Sequence, residues 1–203
     1  MKKILLVGMI LGGLLLTLSG CIFDKAKGLI LYGSQDQVTS AIASNKKDIA
    51  SSTIFAAKQD GDGDNLTIFL KETDAKSMQK QQAFTKVVNS DKTEVLKELP
   101  ATNGNMVLLA KDNATEISIR AKKQALTYGG NITFGDARTY AKNIVIVPDN
   151  LWESVDAKSE SIATVMTKKD AADYLTDFQD VDKAQLADLL GLFEWNELES
   201  QYA

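Results

Sequence analysis

The side chains of this 203-residue chain that are best spaced for chemistry are carboxylates. Asp60-Gly61-Asp62-Gly63-Asp64-Asn65 places acids at alternate positions, as a calcium-binding loop does. The match fails further on. The sixth position is Asn65 where such a loop has Gly, and the twelfth is Lys71 where a bidentate Glu is needed, with Glu72 one residue late. A polar hairpin loop is the plainer expectation, with Asp60, Asp62 and Asp64 a weak metal candidate. A second acidic group, Asp173, Asp177, Asp180 and Asp182, would serve a paired-carboxylate hydrolase only if two of its members converged across a cleft. A solvated face and a helix cap account for the same residues.

Other chemistry is excluded by what is missing. The chain has no His, which removes Ser-His-Asp and Cys-His triads, His general bases and His-ligated metals. Ser44-Asn45-Lys46-Lys47 and Ser77-Met78-Gln79-Lys80 match the Ser-x-x-Lys element of penicillin-recognising enzymes, but the companion Ser-Asp-Asn and Lys-Thr-Gly elements are absent. No cofactor is implied and no catalytic residue is assigned. Trp152, Trp195 and Tyr202 are read either as core aromatics, the plainer expectation, or as candidate anchors for a protein partner, because interface centres favour Trp and Tyr.

The single cysteine, Cys21, has a different role. Lys2 and Lys3 form a short positive segment, and Ile4 to Leu18 follows without a charge. That run is a signal-peptide core, too short to span a bilayer comfortably, which takes about 20 residues. It ends in Leu18-Ser19-Gly20-Cys21, a branched apolar residue, two small residues and a thiol. This segment resembles the lipobox of bacterial lipoproteins. The resemblance covers residues 1–21 only. It implies a signal peptide over 1–20, diacylglycerol on Cys21, cleavage before it, and often a third acyl chain on the new amine. It also implies a cell-envelope location. Ile22, where Asp would favour inner-membrane retention, points to the periplasmic face of the outer membrane if the cell has one.

With Lys2 and Lys3 set aside, 21 basic residues face 27 acidic ones, a formal net charge of −6. That argues against a general nucleic-acid or anionic-lipid surface. The membrane work falls to the lipid anchor on Cys21. About 180 residues remain, the size of one domain. Without another cysteine there is no disulfide, so stability rests on an ordinary packed core.

The elements expected are as follows. Residues 21–33 form a short membrane tether, and a single domain occupies 34–203. The apolar run Gly28 to Gly33 is either the first core segment or a surface against lipid. Ser34 caps a helix reaching about Ser51, with Val38, Ile42 and Ile49 on one face. Thr53 to Lys58 and Leu66 to Leu70 form a hairpin. Thr73 to Ala83 is helical, with Phe84, Val87 and Val88 continuing the spacing, and Asp91 with Glu94 starts a short helix ending before Pro100. Residues 105–148 read as an antiparallel meander that includes Asn143 to Val147 and a tight turn at Gly129-Gly130. Ser161 to Thr167 is a strand and Lys168 to Phe178 a helix. Asp182 caps a final helix carrying Leu186, Leu189, Leu190 and Phe193, with Leu198 further on.

The fold class is therefore α+β, a mostly antiparallel sheet with N-terminal, middle and C-terminal helices. The function expected is a non-enzymatic lipoprotein binding an envelope protein partner, as an assembly factor, accessory subunit or inhibitor. A lipoprotein that binds a small or apolar ligand between sheet and helix is the alternative, and a carboxylate or Ser/Lys hydrolase comes third.

Overall fold

The computed structural model describes residues 27–89, 92–135 and 137–189. Its first strand, β1, Gly28–Gly33, is buried along its whole length. Leu29 and Leu31 point to one face of the sheet, Ile30 and Tyr32 to the other, and all four are 0–2% exposed. A strand covered on both faces must be apolar at every position rather than at alternate ones. Of the two readings of this run, the core segment is the one seen. The tether expected over 21–33 is thus shortened, because Gly28–Gly33 belongs to the sheet. Gly28 is required where it stands. A Cβ there would lie 2.5 Å from the Val165 carbonyl oxygen and 2.8 Å from Leu189.

Ser34 caps helix α1, Gln35–Ser44. Its hydroxyl accepts the Gln37 N–H while the Gln37 side chain accepts the Ser34 N–H, a reciprocal capping box. The helix ends well before Ser51. The β-branched and aromatic residues that follow, with no acid or base between Ile49 and Ala57, join strand β2, Ile49–Asp60. Strand β3, Thr67–Lys71, pairs back on Ala57 to Asp60, so the expected hairpin is present.

Helix α2, Glu72–Lys80, follows directly. Its expected continuation through Val88 is replaced by strand β4, Phe84–Asn89. Gln82 takes the left-handed conformation (φ 59°), which ends the helix, and the β-branched residues behind it extend. The short helix expected from Asp91 is likewise strand β5, Lys92–Val95, paired antiparallel with β4.

The expected meander is corrected too. Strands β6, Val107–Ala110; β7, Glu116–Ile119; β8, Lys122–Ala125; β9, Thr127–Gly130; β10, Ile132–Phe134; and β11, Asn143–Val147, divide among three sheets. β6 runs parallel to β9, and β11 runs parallel to β3. Gly129-Gly130 lies in a strand rather than a tight turn, where a Cβ on Gly129 would press on Val107 at 2.5 Å.

Strand β12, Lys158–Thr167, pairs with both β1 and β2. Residues 171–177 form a 3-10 turn rather than an α-helix. The expected C-terminal helix starts instead as strand β13, Lys183–Ala187, on the outer edge of β1. Leu190, Phe193 and Leu198 lie outside the described residues. The helices seen are therefore an N-terminal and a middle one.

The main sheet has eight strands in the order β13-β1-β12-β2-β3-β11-β6-β9. Its first face carries Ile30, Tyr32, Phe55, Ile68, Leu70, Ile144, Ile146 and Ile162. This face is closed by α2, through Ala75 and Met78, and by the small sheet β10-β4-β5, through Phe84, Ile132 and Phe134. The second face is covered in two separate patches. At one end α1 and the 171–177 turn lie over Leu29, Leu31, Ala163 and Val165. At the other, the β7–β8 hairpin and a 3-10 turn, Asp149–Ser154, lie over Phe69, Leu108, Val145 and Val147. The fold is α+β and mostly antiparallel, and the gap between those two covers is where its open surface lies.

Candidate functional site

The gap forms a groove of about 460 Å³ across β2 and β12. Ile54, Ala56 and Lys58 of β2, with Ser159 and Ser161 of β12, line it; Gln35 of α1 stands at one wall, Trp152 and Glu153 at the other. The register explains the floor. Ala163 lies opposite Ile54, Ser161 opposite Ala56 and Ser159 opposite Lys58, so small side chains alternate on this face. Ile54 is 40% exposed, one of three large apolar side chains so placed among the described residues.

The Trp152 wall is held by two lysines. Lys58 Nζ donates to the Trp152 and Val155 carbonyl oxygens, both at 2.9 Å, and stands 4.8 Å from the centre of the Trp152 ring. Lys71 Nζ stands 5.5 Å from the same ring. Charge-assisted bonds to the last carbonyls of a turn fix that turn in place, and a cation over an indole face adds to this. Trp152 itself is only 6% exposed, so of its two readings the core side chain is the one seen, and it also lines the groove. Trp195 and Tyr202 lie outside the described residues.

The same wall is tied to α2. Lys71, the residue before the helix, makes no side-chain cap. Asp149 supplies one across 76 positions: its carboxylate accepts the Thr73 N–H at 3.2 Å and the Thr73 hydroxyl. Those bonds, the hydroxyl first, hold the Asp149 carboxyl below the usual carboxylate range. Glu72 is lowered in the same way, by Lys76 first and then by Thr102. Asp149→Ala should cost about 1 kcal/mol, the usual value of an N-terminal cap. Because the folded pKa is depressed, this stabilisation is complete above the unfolded value of about 3.9 and is lost as pH falls through the folded value. Urea titrations should separate wild type from variant at neutral pH and superimpose them at strongly acidic pH. A constant difference across that range would contradict the cap.

The groove is continuous with a break in the sheet. β12 pairs with β2 from Ile49 to Gln59, but β3 pairs only with Ala57 to Asp60. On the β3 side the seven residues Ala50 to Ala56 have no strand beside them among the described residues. β3 gives way to α2 at Glu72 and β11 gives way to the 149–154 turn, so the C-terminal ends of two parallel strands face this notch. Nothing in the composition of β2 announces the notch. The nearest signal is a stretch from Ile49 to Ala57 free of charge, Gly and Pro.

The other sequence candidates go elsewhere. Asp60 accepts the Arg120 backbone N–H at 3.1 Å, and the Arg120 guanidinium pairs with Asp156 at 2.8 Å. Asp62 makes no capping bond and Asp64 is exposed in a 3-10 turn. Among the described residues no group of three or more His, Cys, Asp or Glu side chains is placed to hold a metal. Asp173 and Asp177 are exposed on the 171–177 turn, and Asp182 accepts a bond from Gln37 at the other end of α1. Ser77 and Lys80 share α2, with Ser77 half-buried and Lys80 exposed, and no hydrogen bond joins them.

Comparison with known proteins agrees with this picture at the level of the fold. A 1.5 Å crystal structure of a protein described as a putative lipoprotein from Bacillus anthracis superposes with a TM-score of 0.72. It is 24% identical and covers 81% of this chain and 100% of its own. No curated protein matches the chain. The model of an uncharacterised lipoprotein family matches residues 26–189, nearly the whole of the domain described above. The chain belongs to that lipoprotein family, and with it to the lipid-anchored proteins of the bacterial cell envelope.

Proposed function

We propose that this lipoprotein is non-enzymatic, is anchored through acyl chains on Cys21, and holds a protein partner in the groove over β2 and β12. The observation that carries the reading is the middle of the second sheet face, left uncovered by the described residues, with Ile54 exposed on it beside a braced Trp152 wall. A sheet face in a domain of this size is ordinarily closed by its own helices or loops. Here the covers formed by the described residues stop on either side, and the floor between them is small and polar enough to stay soluble when empty. The side chains lining it include no nucleophile–base pair, and its one lysine is committed to two carbonyls. Shape rather than reactivity is what this surface offers.

The test is co-purification of the lipidated chain from its own membrane in mild detergent. A stoichiometric protein should be recovered with wild type. Ala56→Arg and Ser159→Arg, at two exposed positions that line the groove, should reduce that recovery at least tenfold while leaving the thermal transition within a few degrees. Recovery of no stoichiometric protein, or equal recovery with the filled groove, would refute the reading.

A further inference from the structure

We infer that the free edge of β2, Ala50 to Ala56, is a strand-addition site for an extended segment of the protein partner. This inference rests on the partner-binding reading and names how the partner is held.

The chemistry of the edge selects its occupant. A strand bonded on one side only presents a row of alternating N–H and C=O groups at strand spacing, which another extended backbone satisfies. No described backbone or side-chain group bonds to this row apart from the β12 ladder. Natural edges are blunted by charge, Gly, Pro, bulges or brevity. The other described edges follow that rule. β5 carries the ion-paired Lys92 and Glu94, β9 carries Gly129, Gly130 and a register shift, β10 is three residues long, and β13 starts at Lys183. Ala50-Ser51-Ser52-Thr53-Ile54-Phe55-Ala56 has no charge, Gly or Pro and is among the longest free edges; its one irregularity is the register shift at Ala50, at its start, so Ser51 to Ala56 runs unguarded. Its groove-face side chains, Ser52, Ile54 and Ala56, lead into the groove, so alternate side chains of an added strand would be seated there.

A second copy of this chain fits the edge less well. An antiparallel pair using all seven residues centres on Thr53 and sets Ile54 opposite Ser52. Centring on Ile54 instead sets Ile54 against Ile54, but β3 occupies the edge from Ala57 onward, so only Ser52 to Ala56 remain. A foreign strand carries no such restriction.

The experiment is backbone-amide exchange on the lipidated full chain, alone and in the complex recovered from its own membrane. Alternate amides between Ala50 and Ala56 should slow at least tenfold in the complex, while those of β1 stay as they were. Ser52→Pro and Thr53→Pro are made singly. Successive N–H groups point to opposite sides of a strand, so one of the two variants removes an outward donor and leaves the β12 ladder intact. That variant should keep the exchange pattern of β1 and lose the partner at least tenfold. A partner recovered without slowing at 50–56 overturns strand addition and leaves the groove reading standing. Failure to recover any partner overturns both. Cross-links from Ile54 that map to a second copy, or to residues 190–203 of the same chain, name a different occupant and overturn the proposal.

Discussion

Cys21→Ser is expected to abolish acylation, so that the protein either accumulates as uncleaved precursor or leaves the membrane fraction. The expectation follows from how little else holds this domain to lipid. The formal charge behind the signal is −6, so an anionic leaflet repels rather than attracts it. No described helix is long and apolar enough to cross a membrane. Anchoring then depends on acyl chains, at about 0.8 kcal/mol per buried CH₂, with two chains needed for stable attachment. Six residues separate Cys21 from Gly28, where the buried strand begins, a reach of roughly 20 Å when extended. The domain is therefore kept close to the bilayer, and a partner in the same envelope meets it at high local concentration. Metabolic labelling with a fatty-acid analogue, followed by fractionation, reads the result. A serine variant that still takes the label and pellets like wild type would mean that the thiol is not the lipid acceptor.

The second large effect is in the core. Phe69→Ala is expected to cost 3–5 kcal/mol, the usual range for truncating a buried aromatic. Phe69 is 0% exposed and packs in the cluster that holds Val145, Leu108, Trp152 and Val155. It is the side chain of β3 that faces the turn carrying Trp152, opposite Lys58 of β2 in the hairpin register. Losing it removes contacts on both sides of the groove wall. For a domain of this size the transition should fall by about 10 °C, with partner recovery reduced beyond what unfolding explains. An unchanged melting temperature would show that the wall is supported from elsewhere.

How much of this was legible in the sequence depended on whether the deciding contacts were local. The cap at Ser34 and the hairpin of β2 and β3 are set by residues within a few positions of one another, and both are present. Asn143–Val147 was legible as a central strand because it is apolar on both faces. The C-terminal helix was not. Leu186 and Leu189 fit a helical stripe, but the same residues also fit a strand in which Leu186 meets one cluster and Ala187 and Leu189 the other. The choice is made by β1, about 150 positions earlier, which offers a free edge at Leu29 to Tyr32. β5 was misread for the same reason: Asp91 and Glu94 satisfy a capping pattern in the sequence, yet β4 is already extended beside Lys92 to Val95.

The candidate site was the least legible feature. Trp152 was visible as an aromatic near a Pro-Asp-Asn turn, but its burial depends on Lys58 and Lys71 from distant strands. The notch exists because β3 stops and α2 begins at Glu72. No local pattern marks the place where a neighbouring strand ends.

The claim that the open middle of this sheet face serves a protein partner is tested most directly by photo-crosslinking from position 54 in intact cells. A photoreactive residue replaces Ile54 in the lipidated full-length chain, with a matched residue at the exposed Thr39 of α1 as the control. One envelope protein cross-linked at position 54 and not at position 39, through a single contiguous peptide, is the predicted result. Equal labelling at both positions, or no protein adduct at position 54, would contradict it.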